Sequence, residues 1–264
     1  MSKRTFLAFS ILALALACWP LPAGSAASSR VLMDSHKSAI DISLSYDGDR
    51  IVFFGLNPDP GSQLIVKLVS KERDEVRLSV KDRFGPLWMA RRQYRVTGAP
   101  VMYKVISTAP LDKIIGPKLA GKLGLGYQAL KSEFKLEPLR GKPVPGEGDK
   151  VLRALLALKE AQGLYHVFSE PGRLHLIERR LYRHHFHFPP TAGEGAYLVE
   201  TYAVRKGQVV GYGRHEVQIR KVGLQAWLTD AAQRQPLWYG LGAVLVAALA
   251  GLGVGFVFKR GGHH

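Results

Sequence analysis

The stretch AYLVETYAVRKGQVVGYGRHEVQIRK, residues 196–221, decides the class of fold. Its Tyr, Val, Thr and Ile content suits extended chain, and Lys206-Gly207-Gln208 supplies a tight reversal. Residues 196–205 and 209–221 are therefore expected to turn back on each other as two strands. Upstream, residues 165–168 and 174–188 read as further strands. Strand alternation in the second puts His185 and His187 on one face and His184, Phe186 and Phe188 on the other. Before them, a helix is expected from Asp149 to Ala161 and a stop at Gly163. Asp149 is placed to cap it through its carboxylate. Leu152, Leu155 and Leu156 form its apolar stripe, with Lys159 and Glu160 toward solvent.

The first half has the same character. Residues 39–46 alternate, with Ile40, Ile42, Leu44 and Tyr46 on one face; Asp47-Gly48-Asp49 turns, and residues 50–55 return, which predicts a hairpin. Asn57-Pro58-Asp59-Pro60-Gly61 interrupts it, because two prolines cannot sustain a ladder of hydrogen bonds. Residues 63–69 form the next strand, and Val76, Leu78 and Val80 define another. Shorter strands follow at 87–89, 94–96 and 101–107. Residues 112–130 then show short helical stretches broken at Gly116-Pro117 and Gly124-Leu125-Gly126, and residues 138–148 read as a Pro/Gly-rich loop.

Both ends carry a different signal. Lys3 and Arg4 precede the apolar run 6–17, Pro20, Pro22 and the small residues 23–27, the three parts of a secretory signal peptide, with cleavage after Ala26 or Ala27. Cys18 is the single cysteine and would leave with it, so no disulfide framework or Cys-based site is available to the mature chain. At the other end, residues 237–258 carry no charge. As a helix they reach about 33 Å, enough to cross a hydrocarbon core of about 30 Å. Lys259 and Arg260 follow, which favours a cytoplasmic C-terminus and leaves the main domain on the outer side.

Trp238 and Tyr239 are placed for the outer interface. Just before them, Leu224, Trp227, Leu228 and Ala231 make a short amphipathic face. Trp227 could enter the interfacial layer, or the face could pack under the β domain. Within the span, Ala243, Ala247, Gly251 and Gly255 recur every four residues and could admit another helix at close range.

These signals predict a mainly β protein: an exported β-sandwich-like domain with a helical insertion, followed by one C-terminal transmembrane helix. The expected parts are a signal peptide (1–27), a β-rich segment (28–111), a helical insertion or linker (112–163), a second β-rich segment (164–223), an interfacial amphipathic helix (224–236), the transmembrane helix (237–258) and a cytoplasmic tail (259–264). The β-rich parts form one sandwich or two small modules. The formal net charge is +16. Without Lys3, Arg4, Lys259 and Arg260 it is about +12, a field that attracts anionic headgroups, polyanions or an acidic partner. Nucleic acid is not expected on that side of the membrane.

Candidate chemistry is sparse. His185 and His187, at alternate strand positions, are candidate transition-metal ligands if a neighbouring strand supplies a carboxylate or third imidazole. Gly116 to Leu123 has phosphate-loop spacing, but Leu123 stands where Ser or Thr is required. Arg91-Arg92, Lys71-Glu72-Arg73 and Arg179-Arg180 would form an oxyanion surface only if the fold brought them together. No catalytic constellation or cofactor motif is found, so no enzymatic activity is expected.

Several segments together resemble a family of transmembrane proteins described mainly from alphaproteobacteria, without an assigned biochemical activity. They are Phe53-Phe54-Gly55; Gly85-Pro86-Leu87-Trp88 in a basic neighbourhood; Tyr103 leading to residues 107–112; Gln162-Gly163-Leu164-Tyr165; the segment 188–197; and the entry to the span at residues 235–240. Here Gly85-Pro86 departs from the family's Gly-Ile-Trp form. Members resemble accessory proteins, sometimes encoded near a sulfite-exporter-like permease, which the resemblance offers as a conditional partner. The expectation is a single-pass protein of the cell inner membrane with a periplasmic domain, contacting membrane lipid and another envelope or membrane protein. The alternative is a periplasmic anion- or metal-binding module.

Overall fold

The computed structural model describes residues 29–43, 46–168 and 174–259. The signal peptide expected at 1–27, Cys18 and the tail beyond Lys259 lie outside these residues, as does Leu44 of the first strand pattern.

The chain is built on fourteen strands and six helices among the described residues. The strands are β1 (Ser29–Arg30), β2 (Leu32–Ser35), β3 (Ala39–Ile42), β4 (Asp49–Leu56), β5 (Gln63–Ser70), β6 (Arg73–Phe84), β7 (Leu87–Pro100), β8 (Tyr103–Ser107), β9 (Lys135–Arg140), β10 (Tyr165–Phe168), β11 (His175–Ile177), β12 (Leu181–Phe188), β13 (Gly195–Arg205) and β14 (Gln208–Lys221). The helices are α1 (Leu111–Ile114), α2 (Pro117–Lys122), α3 (Tyr127–Ser132), α4 (Glu147–Ala161), α5 (Leu224–Arg234) and α6 (Pro236–Lys259).

The β13–β14 hairpin forms as expected. Lys206 and Gly207 both have positive φ, +50° and +76°, the geometry whose twist matches the flanking strands. It is the spine of a seven-stranded sheet ordered β1-β14-β13-β5-β8-β10, with β3 also on β14. A four-stranded sheet, β11-β12-β4-β2, packs against one face of it. On that face Leu64, Val66 and Leu68 stand beside Ala203, Thr201 and Val199, and the Tyr182 hydroxyl of β12 donates to Thr201 Oγ1 at 3.2 Å. Ile51, Phe53, Phe186 and Phe188 fill the same core, all at most 1% exposed. The opposite face is covered by the α2–α3 region: the Tyr103 hydroxyl donates to the Gly124 carbonyl and accepts from the Gly126 amide, both at 2.8 Å. The result is a β-sandwich backed by short helices. Strands from both ends of the domain share each large sheet, since β5 pairs with β13 and β4 with β12.

Several expectations need correction. Residues 39–55 are not a hairpin: β3 runs parallel to β14 in the large sheet, whereas β4 pairs with β12 and β2 in the other. The turn residues at 47–49 mark a reversal, and alternation does not say which layer each arm joins. Residues 87–100 are one long strand rather than fragments. They make a hairpin with β6 through Gly85-Pro86, where Gly85 has φ +61°, and β9 joins it inside the segment expected to be helix and loop. Residues 174–188 are two strands folded back at 178–180, with Glu178 and Arg179 at positive φ. The α4 cap is Gly146, at φ +75°, and makes no side-chain bond; Asp149 lies in the first turn.

Helix α4 is clamped to the β6–β7–β9 sheet. Val151 and Leu155 pack on Tyr94, Val96 and Ala99. At its first turn, buried Glu147 accepts from the Tyr94 hydroxyl and pairs with Arg92 at 2.9 Å, while Arg92 also pairs with Asp82 at 2.9 Å. Tyr94 and then Arg92 hold the Glu147 carboxyl below its usual range. At the last turn Lys159, expected in solvent, is buried and pairs with Asp74. An acid at the helix start and a base at its end also suit the helix dipole.

Beyond the domain, α6 runs Pro236–Lys259, and its first twenty residues form an apolar segment that is not buried in the protein. At 1.5 Å per residue the helix is about 36 Å long, sufficient to cross a bilayer.

Candidate functional site

Strand β12 alternates strictly between buried and exposed positions. Its inward set is Tyr182, His184, Phe186 and Phe188. The His184 ring is 1% exposed, stacks on Phe53 at 5.5 Å between centroids, and has both ring nitrogens without hydrogen-bond partners. Burial, and then repulsion from His185, pushes it down to about 3, so it is a neutral core group.

The outward set divides the exposed face of the four-stranded sheet in two. At one end, register aligns Ile177 with Leu181, Leu181 with Leu56 and Leu56 with Leu32, one residue per strand. These four are 54%, 43%, 44% and 57% exposed, with Phe54 beside them at 40%. A solvent-facing sheet surface is ordinarily polar, so this row is an uncovered apolar strip.

The other end is cationic. His187 stands directly opposite Arg50, and His185 opposite Val52. Register puts His175 opposite Arg183, two residues along from His185. The His187 ring lies over Gly48, where an added Cβ would come within 3.0 Å of its Cε1. Lys104 arrives from β8 of the large sheet. It is 6% exposed, and its Nζ donates to the His187 carbonyl at 2.6 Å. Burial lowers the Lys104 pKa to about 8. Arg50, Lys104, Phe168, His175, His185 and His187 line a cavity of about 390 Å³. Among the described residues, no carboxylate lines it.

The structure thus places His185 and His187 on one face, with His175 of the neighbouring strand and the cations Arg50 and Lys104 bordering the same cavity. Among the described residues, no group of three His, Cys, Asp or Glu could hold a metal. The arginine pairs do not converge either. Lys71 pairs with Glu216, Arg73 with Glu133, and Arg92 with Asp82 and Glu147. The phosphate-loop spacing at 116–123 falls on the short helix α2, with Leu123 packed against the core. Sequence reasoning missed Lys104; a single lysine inside the apolar strand Tyr103–Ser107 was the available signal.

Two more exposed apolar features occur. The tip of the β6–β7 hairpin presents Phe84, Leu87, Trp88 and Met89, all at least 56% exposed, between Arg83 and Arg91. At the membrane end, Trp227, Trp238 and Tyr239 are 65%, 71% and 40% exposed. The apolar face of α5 borders a groove against α6 through Trp227, Leu228 and Ala231, with Ala243 and Ala247 on the other wall. No described side chain of α5 belongs to the β-domain core. Gly251 and Gly255, the remainder of the small-residue series, have nothing within 4 Å of where a Cβ would stand.

Over residues 30–260 the chain matches the family model described as Putative transmembrane protein (Alph_Pro_TM). No curated protein and no solved structure matches it significantly.

Proposed function

Because this chain belongs to the Alph_Pro_TM transmembrane family, we propose that it is an envelope accessory protein whose β-rich domain docks on another envelope or membrane protein. In this reading α6 spans the cell inner membrane, the domain lies in the periplasm and the tail in the cytoplasm. Trp227, Trp238 and Tyr239 contact lipid at the outer interface, where rings with one polar atom are favoured. A sulfite-exporter-like permease is the partner that the family resemblance suggests.

The observation that carries the docking function is the in-register row Ile177, Leu181, Leu56 and Leu32. Apolar surface gathered into one strip on a rigid sheet gains most when a second surface displaces its water. Photo-crosslinking from Leu56 and from Leu181 in native membranes tests it. A single heavier product is expected at both positions, lost when Leu32 and Ile177 become Asp. Absence of any product at both positions would refute the docking reading.

A further inference from the structure

We infer that the cavity between β8 and the outer end of β12 is a binding site for a small, doubly charged tetrahedral oxyanion, of the phosphate or sulfate class. This goes beyond the docking function and does not depend on it.

The argument begins with Lys104. A lysine ammonium that is 6% exposed has lost most of its water, and its one hydrogen bond among the described residues goes to the His187 carbonyl. A carbonyl dipole satisfies one of three N–H donors and supplies no countercharge. Among the other described lysines the two most enclosed have acids: Lys159 has Asp74 and Lys67 has Glu200, each at 2.6 Å. Lys104 has no such ion pair among the described residues, and it faces a cavity.

The walls of that cavity are donors of the same kind. Arg50 and His187 are direct cross-strand partners, so their side chains leave the sheet about 5 Å apart. His175 stands on the same face and borders the cavity with Arg50, His187 and Lys104; His185 borders it too but is already engaged in an interaction of its own. The Arg50 guanidinium is a permanent donor, the Lys104 ammonium donates while it stays protonated, and imidazole adds donors that strengthen when protonated. Several such donors around one small volume match an acceptor with oxygens in several directions. Imidazoles can also ligate metals, but among the described residues no group of three His, Cys, Asp or Glu is placed to hold one, whereas Arg50 and Lys104 bring positive charge that a cation would oppose. Phe168, Ile106 and Phe186 complete the lining, and apolar walls strengthen the interaction of charges within them.

Equilibrium binding by calorimetry on the full chain in detergent, with sodium sulfate and inorganic phosphate as separate probes at constant ionic strength, tests the proposal. Saturable one-site binding of at least one ion is expected. Lys104→Met should weaken it about tenfold or more, the usual loss for a charge-assisted bond. Arg50→Gln, at an exposed position that does not endanger folding, should also weaken it. Arg140→Gln on the distant β9 should leave it unchanged. No saturable binding of either ion, or equal affinity in the Arg50 and Lys104 variants, would overturn the proposal. So would a response to phosphatidylglycerol vesicles with none to the free ions, or zinc binding that the anions do not affect.

Discussion

Lys159 Nζ lies 2.6 Å from Asp74 Oδ2 and joins the last turn of α4 to the first strand of the β6–β7 hairpin. The lysine is 3% exposed, while the aspartate side chain keeps 39% of its surface. The two positions are unequal: removing the acid strands a buried cation, whereas replacing the lysine leaves a carboxylate that water can reach. Asp74→Asn should therefore destabilise the domain by about 1–3 kcal/mol, the usual cost of leaving a buried donor without its partner. Lys159→Met should cost less. Denaturant titration of the full chain in detergent compares them; an equal or reversed order would contradict this account of the clamp.

His184 makes a prediction about pH. Its folded-state pKa is about 3, below the ordinary value of 6.5, so the native state holds the ring neutral while the unfolded chain takes up a proton. Stability from this group is complete above about pH 6.5 and falls as pH drops toward 3, by roughly 1 kcal/mol per pH unit. His184→Phe keeps a ring among Phe53, Tyr182 and Phe186. Unfolding midpoints between pH 7 and pH 4 should fall less steeply in this variant than in the parent chain; parallel curves would exclude His184 as the group responsible.

The tip of the β6–β7 hairpin is separable from the packing that holds its base. Trp88 is 67% exposed, so Trp88→Ser should change stability by no more than about 0.5 kcal/mol. Val96, on the same strand and fully buried against α4, should cost about 1–3 kcal/mol when cut to Ala. Chemical denaturation of the two variants checks this. A large loss from Trp88→Ser would show that the tip is packed and not available to a partner.

Within the anchor, Gly251 and Gly255 have open space around them in the isolated chain. Replacing both with Leu should leave membrane insertion intact, since apolarity and length are kept. It should abolish any association that depends on close helix approach. Carbonate extraction reads insertion and crosslinking in native membranes reads association. Unchanged crosslinked species would eliminate this face as a contact.

The parts legible in the sequence are those set by local pattern. The β13–β14 hairpin follows from strand formers around Lys206-Gly207, the inward and outward sets of β12 from alternation, and α6 from uninterrupted apolarity. Sheet membership was not legible, because Ile40 and Ile51 both look inward-facing yet belong to strands in different layers. Burial of Lys159 was hidden because its partner lies 85 residues away. The cationic cavity stayed hidden for the same reason: Arg50, Lys104 and His187 meet only through the sandwich, and only the His pair was visible as a local cluster.

The central claim is that one helix, α6, tethers a β-rich domain on the outer side of the membrane. It is tested most directly by labelling with a membrane-impermeant maleimide on intact spheroplasts, after Cys18→Ser removes the native thiol. Ser79→Cys, on the exposed side of β6, should label at once, and Gly262→Cys, beyond the span, only after the membrane is opened. Protection of Ser79→Cys with labelling of Gly262→Cys would contradict the account.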